Sequence, residues 1–122
     1  MLVVADSSPL HYLILLDQAE LLPRLFGNVL IPDAVAAELC VTASPRKVSE
    51  WISDHPPWLR VVEITAEDIV SIADQLDVGE RAAIALAERT GADLLLIDES
   101  AGRAEARRRS ASPNGLGKWL DE

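Results

Sequence analysis

Apolar residues in this chain gather into short, almost unbroken runs, and between the runs they recur at helical spacing. The runs are Leu2 to Ala5, Val29 to Ile31 and Asp93-Leu94-Leu95-Leu96-Ile97. A strand covered on both faces reads this way, because neither face meets water. After the first run comes Asp6-Ser7-Ser8-Pro9, where Ser8 suits a helix cap and Pro9 a first helical position. This predicts a helix from about Pro9 to Glu20, with a second short turn before Gly27. Pro32 is expected to open the next helix, ending near Val41, and residues 45–53 place Val48, Trp51 and Ile52 on one helical face. His55-Pro56-Pro57 breaks the chain before Leu59 to Ile64, which suits an edge strand or an irregular extended segment. Thr65-Ala66-Glu67-Asp68 has the form of a capping box and predicts a helix to about Gln75. Asp77-Val78-Gly79-Glu80 predicts another to Thr90, stopped by Gly91. An Arg-rich helix is expected from about Glu99 to Arg109. Alternating strands and helices of these lengths predict an α/β protein, three-layer α/β/α, with a short parallel central sheet.

Composition narrows the picture. With 122 residues, 49% hydrophobic and 25% charged, the chain suits one domain with one core and is too apolar for general disorder. Tyr12, Phe26, Trp51, Trp58 and Trp119 are its aromatic residues, and the predominance of Leu, Ile, Val and Ala disfavours a β-sandwich. Cys40 has no second cysteine to pair with, and His11 and His55 alone cannot complete a Cys/His zinc cluster, so a reducing cytoplasm is the expected setting. The uncharged stretch from Ser7 to Leu16 is about half what a bilayer requires. No lysine or arginine precedes it, so the expectation is a soluble protein with neither membrane span nor signal peptide. A net charge of -9 argues against indiscriminate adhesion to nucleic acid; the basic cluster is Arg103, Arg107, Arg108 and Arg109.

The candidate chemistry is acidic. Asp6 and Asp98 each follow an apolar strand just before a helix, and in open parallel sheets the carboxyl ends of the strands form the ligand crevice. Glu38 lies among small and apolar side chains in the helix after the second strand, and Glu80 stands three residues after Asp77. Each also has a plainer reading. Asp6 and Asp98 can cap helices, Glu38 can be a solvated helix acid, and Glu80 can be the N3 partner of a capping box. Convergence of the four on one crevice would require cations to offset their repulsion, and oxygen-only ligands select Mg²⁺ or Mn²⁺. Such ions support phosphoryl chemistry.

On four stretches the chain resembles the PIN-domain nucleases, in particular a PIN-like branch related to the toxin components of toxin-antitoxin pairs. They are Val3 to Leu10, Ile31 to Leu39, Leu76 to Ala87 and Leu94 to Glu99, and their order and spacing carry the resemblance. It implies a metal-dependent endoribonuclease acting on single-stranded RNA. Asp6 and Asp98 would be the principal metal ligands, and Glu38 and Glu80 would bind metal directly or through water. Ser7 or Ser8 would orient Asp6 or a phosphate, or simply cap the helix, and Arg103 and Arg107 would contact substrate phosphates. An antitoxin protein is the implied partner. A homodimer through the apolar N-terminal helices is also expected, unless those residues are all core.

Where members of that family continue into another strand and a closing helix, residues 110–122 offer Pro113, Asn114 and two glycines and no strand-like run. The reading therefore divides the chain into a PIN-like domain over 1–109 and an atypical C-terminal tail over 110–122 that forms no sheet strand. The edge left bare is expected at or near a dimer contact. Two rivals stand beside this reading. One is a noncatalytic PIN-like nucleic-acid-binding or assembly module. The other is an aspartate-based phosphoryl-transfer domain, although Ser8 occupies the place where a dehalogenase-like phosphatase wants its second aspartate.

Overall fold

Neighbouring residues of each strand face opposite sides of one sheet, and both sides are packed. Val3, Ala5, Val29 and Ile31 point into one cluster, while Val4, Leu30 and Leu95 point into another. The computed structural model describes residues 1–41, 45–70, 72, 76–97 and 119–120. Its strands are β1 (Val3–Ala5), β2 (Val29–Pro32), β3 (Leu59–Val62), β4 (Leu94–Leu96) and β5 (Trp119–Leu120). They lie in the order β3-β2-β1-β4-β5, and every pairing is parallel. The helices are α1 (Ser7–Leu15), α2 (Leu21–Phe26), α3 (Asp33–Cys40), α4 (Arg46–Ser53) and α5 (Val78–Thr90).

The first four helices bury Leu10, Ile14, Leu22, Val35, Leu39, Val48 and Ile52 on one face of the sheet. Helix α5 lays Ala83, Ile84, Leu86 and Ala87 on the other, completing three layers. The chain leaves β1 for β2 on one side and returns to β4 on the other. The strand order therefore reverses between β1 and β4, and such a switch point opens a crevice at the strands' carboxyl ends.

Several boundaries depart from the sequence reading. Helix α1 begins at Ser7, with Asp6 rather than Ser8 at the N-cap position, because the Asp6 N–H is still engaged with the sheet through Leu96 O at 2.9 Å. Pro9 then falls inside the first turn, where a missing N–H costs nothing. The same helix ends at Leu15, not Glu20. Asp17 adopts φ 57°, and the Gln18 N–H reaches back to Leu13 O at 2.8 Å, the closing bond of a Schellman turn. Aspartate tolerates that left-handed conformation, so no glycine marks the stop. Pro32 closes β2, paired with Val62, instead of opening α3. Thr65 donates both its N–H and its hydroxyl to Asp68 Oδ2, at 2.8 and 2.9 Å, which is half a capping box. Among the described residues it yields only a 3₁₀ turn, Glu67–Ile69, where a helix was expected.

The tail requires the largest correction. Trp119 and Leu120 pair with Leu95 and Leu96 as β5, so residues 110–122 do contribute a sheet strand. Two residues are too few to show in a pattern. What selects them is the row of unpaired backbone groups along β4, which would otherwise stay exposed.

Candidate functional site

Asp6 sits at the switch point, directly after the last residue of β1 and at the N-cap position of α1. It is 1% exposed, and its side chain makes no cap hydrogen bond although it occupies the N-cap position. Its Oδ1 is buried and has no hydrogen-bond partner among the described residues. Burial therefore dominates its ionisation and pushes its pKa up to about 7. The Ser7 backbone N–H pulls the other way, and the charges of Glu80, Asp77 and Glu38 add to the rise. Three carboxylates from two further elements thus reach Asp6 electrostatically, a costly arrangement for a merely structural aspartate.

Helix α3 carries Glu38 to the first turn of α5. Its Oε2 accepts the Ser7 hydroxyl at 2.9 Å, so Ser7's side chain orients Glu38, while Asp6 is met by the Ser7 backbone. Burial raises the Glu38 pKa; the Ser7 hydroxyl and the Gly79 N–H lower it, and Asp77 raises it. The close fit at Gly79 explains why this position is glycine. A Cβ there would stand 2.7 Å from Glu38 Cδ and nearer still to Oε1. Glu38 is thereby lodged against the positive end of α5, where a carboxylate is stabilised.

Glu80 is both a cap and a member of the acidic group. Its N–H donates to Asp77 Oδ1 at 2.8 Å and its Oε1 accepts the Asp77 N–H at 3.2 Å, a complete capping box. At 7% exposed it is also one of the charges that raise Asp6. Asp77, read from the sequence only as a cap, belongs electrostatically to the group as well. Nothing in the local sequence marks Gly79 as part of the site, since only the approach of α3 makes its missing side chain matter. Asp98, Arg103 and Arg107 lie outside the described residues.

Beside the carboxylates, an open pocket of about 240 Å³ lies between α1 and α3, lined by Ser7, Ser8, His11, Tyr12, Glu38 and Leu39. The carboxylates suit a hard cation. Every donor in the group is oxygen, Asp6 Oδ1 is buried without a partner among the described residues, and the repulsion around Asp6 is of the kind a divalent ion relieves. Among the described residues, no three acidic or other metal-binding side chains are close enough together to hold an ion by themselves.

The three-layer α/β fold with an aspartate at its switch point is of the nuclease type that PIN domains share, and the chain belongs to the PIN-domain family. The family model DUF3368, a PIN domain, matches residues 2–116. PIN domains in general use divalent metal ions. Comparison with curated proteins finds no match. Among the described residues, no helix is long and apolar enough to cross a membrane.

Proposed function

We propose that this protein is a metal-dependent endoribonuclease that hydrolyses single-stranded RNA in the cytoplasm, the toxin of a toxin-antitoxin pair. The observation that carries the proposal is Asp6: buried at the switch point, with one oxygen lacking a hydrogen-bond partner among the described residues and with Glu38, Glu80 and Asp77 raising its pKa. Asp6, Glu38, Glu80 and Asp98 would hold Mg²⁺ or Mn²⁺. A bound ion of this kind supplies activation of water and stabilises charge on the leaving oxygen. The chain's own contribution is placement. The β1–β4 pairing fixes Asp6, the Ser7 hydroxyl and the Gly79 N–H fix Glu38, and the capping box fixes Glu80. Arg103 and Arg107 would meet the RNA phosphates. Leu16, Leu21 and Leu25 stand exposed on and beside α1 and α2, a surface suited to the homodimer contact or to an antitoxin.

Asp6→Asn and Asp98→Asn, each preserving shape while removing charge, should abolish RNA cleavage in magnesium with the fold intact. Cleavage by both at the parental rate would disprove the assignment. The failure of three described carboxylates to converge favours one other reading, a noncatalytic nucleic-acid-binding module. Thermal melting separates the two. Specific Mg²⁺ or Mn²⁺ binding raises stability by about 2.7 kcal/mol at a hundred times Kd, whereas no shift at millimolar metal supports the module.

A further inference from the structure

The pocket between α1 and α3 has no task in the chemistry above, yet it shares Ser7 and Glu38 with the carboxylate site. Whatever occupies it therefore lies next to the reacting centre. Tyr12 stands on its wall 55% exposed, an aromatic ring that the core does not use. The His11 ring meets it edge-on, with centroids 6.0 Å apart and planes at 74°, a T-shaped contact that favours this orientation of the tyrosine. An exposed ring so supported is a stacking face. At about 240 Å³ the pocket is smaller than sites that enclose a whole drug-sized ligand, and it is open to solvent, so it suits a single flat ring. The Glu38 carboxylate in its wall repels a phosphate. The serine hydroxyls and the imidazole can instead meet the polar edge of an uncharged ring.

We propose that this pocket binds the unpaired nucleobase adjoining the scissile phosphate, stacked on Tyr12, with His11 as a positioning residue for that ring; the inference rests on the nuclease reading above. A base inside a duplex is stacked on its neighbours and hydrogen-bonded to its partner, so its face is not available to Tyr12. The pocket therefore selects single strands.

The test uses the full chain with magnesium and a dye-labelled single-stranded RNA, following anisotropy for binding and gel analysis for cleavage. Tyr12→Ala should weaken binding roughly 5- to 150-fold, the loss of one base–aromatic stack worth ~1–3 kcal/mol, whereas Tyr12→Phe keeps binding within about twofold because the ring remains. The loss should fall on KM and not on kcat, and His11→Ala should give a smaller loss of the same kind. Because Tyr12 is exposed, Tm should not change. Any affinity for the duplex form of the same sequence should be insensitive to Tyr12→Ala. If the wild type binds and cuts RNA and Tyr12→Ala does so equally well, the subsite is overturned and the nuclease proposal stands. An equal drop for duplex overturns the unpaired base as occupant. A wild type that neither binds nor cuts single-stranded RNA overturns both proposals.

Discussion

At Asp6, burial and three neighbouring carboxylates act together against ionisation, and the consequence is measurable without any substrate. Its folded-state pKa of about 7 lies above the ordinary 3.8, so the folded state holds a proton that the unfolded chain releases. The associated stability is fully present below about pH 4 and is lost as pH rises towards 7, on the order of a few kcal/mol. Asp6→Asn carries no such proton. In metal-free buffer its Tm should match the wild type near pH 4 and exceed it increasingly up to pH 8; parallel Tm curves over this range would exclude the raised pKa. Gly79 offers a second residue test. Alanine suits a helix better than glycine by about 1 kcal/mol, but here it displaces the Glu38 carboxylate, the far end of a flexible side chain that can yield. Gly79→Ala should leave stability within about 1 kcal/mol while lowering metal affinity or cleavage ~10–100-fold, as losses of ligand-orienting contacts do. Calorimetric metal titration beside thermal melting checks both halves.

In helix α5, the capping box and the acidic group share Glu80, and substitution can separate them. Glu80→Gln retains an oxygen to accept the Asp77 N–H, so the box survives and only the charge is lost. Cleavage should fall sharply with little change in Tm. Asp77→Ala instead removes the acceptor for the Glu80 N–H and should cost about 0.5–2 kcal/mol. A Glu80→Gln variant that loses stability but cuts RNA normally would reduce Glu80 to its capping role.

For the molecule as a whole, the two-residue strand β5 decides whether β4 is an interior strand or an edge. Truncation before Trp119 should expose the β4 backbone and promote self-association, read as a concentration-dependent rise in light-scattering mass relative to the full chain. An unchanged mass at tens of micromolar would mean that the edge is protected by other means. The same measurement on the full chain tests the proposed homodimer through α1 and α2, which a strictly monomeric mass would remove.

The strand–helix alternation was legible in the sequence because it is local. Strands buried on both faces write themselves as apolar runs, and Gly91 and the Asp77–Glu80 pair mark the ends of α5 by short-range chemistry. Asp6, Glu38 and Glu80 were legible as candidates because each stands at a recognisable place relative to those elements, and the fold brings Glu38 and Glu80 within electrostatic reach of Asp6. Other features came only with tertiary structure. Asp17 ends α1 without a glycine, Ser7 turns its hydroxyl to Glu38, and Asp77 joins the charges around Asp6. Gly79 is needed because α3 presses a carboxylate against α5, and Trp119 and Leu120 form a strand because β4 had an open edge. Each depends on a partner distant in the chain, and periodicity records which way a residue faces but not what the fold brings to meet it.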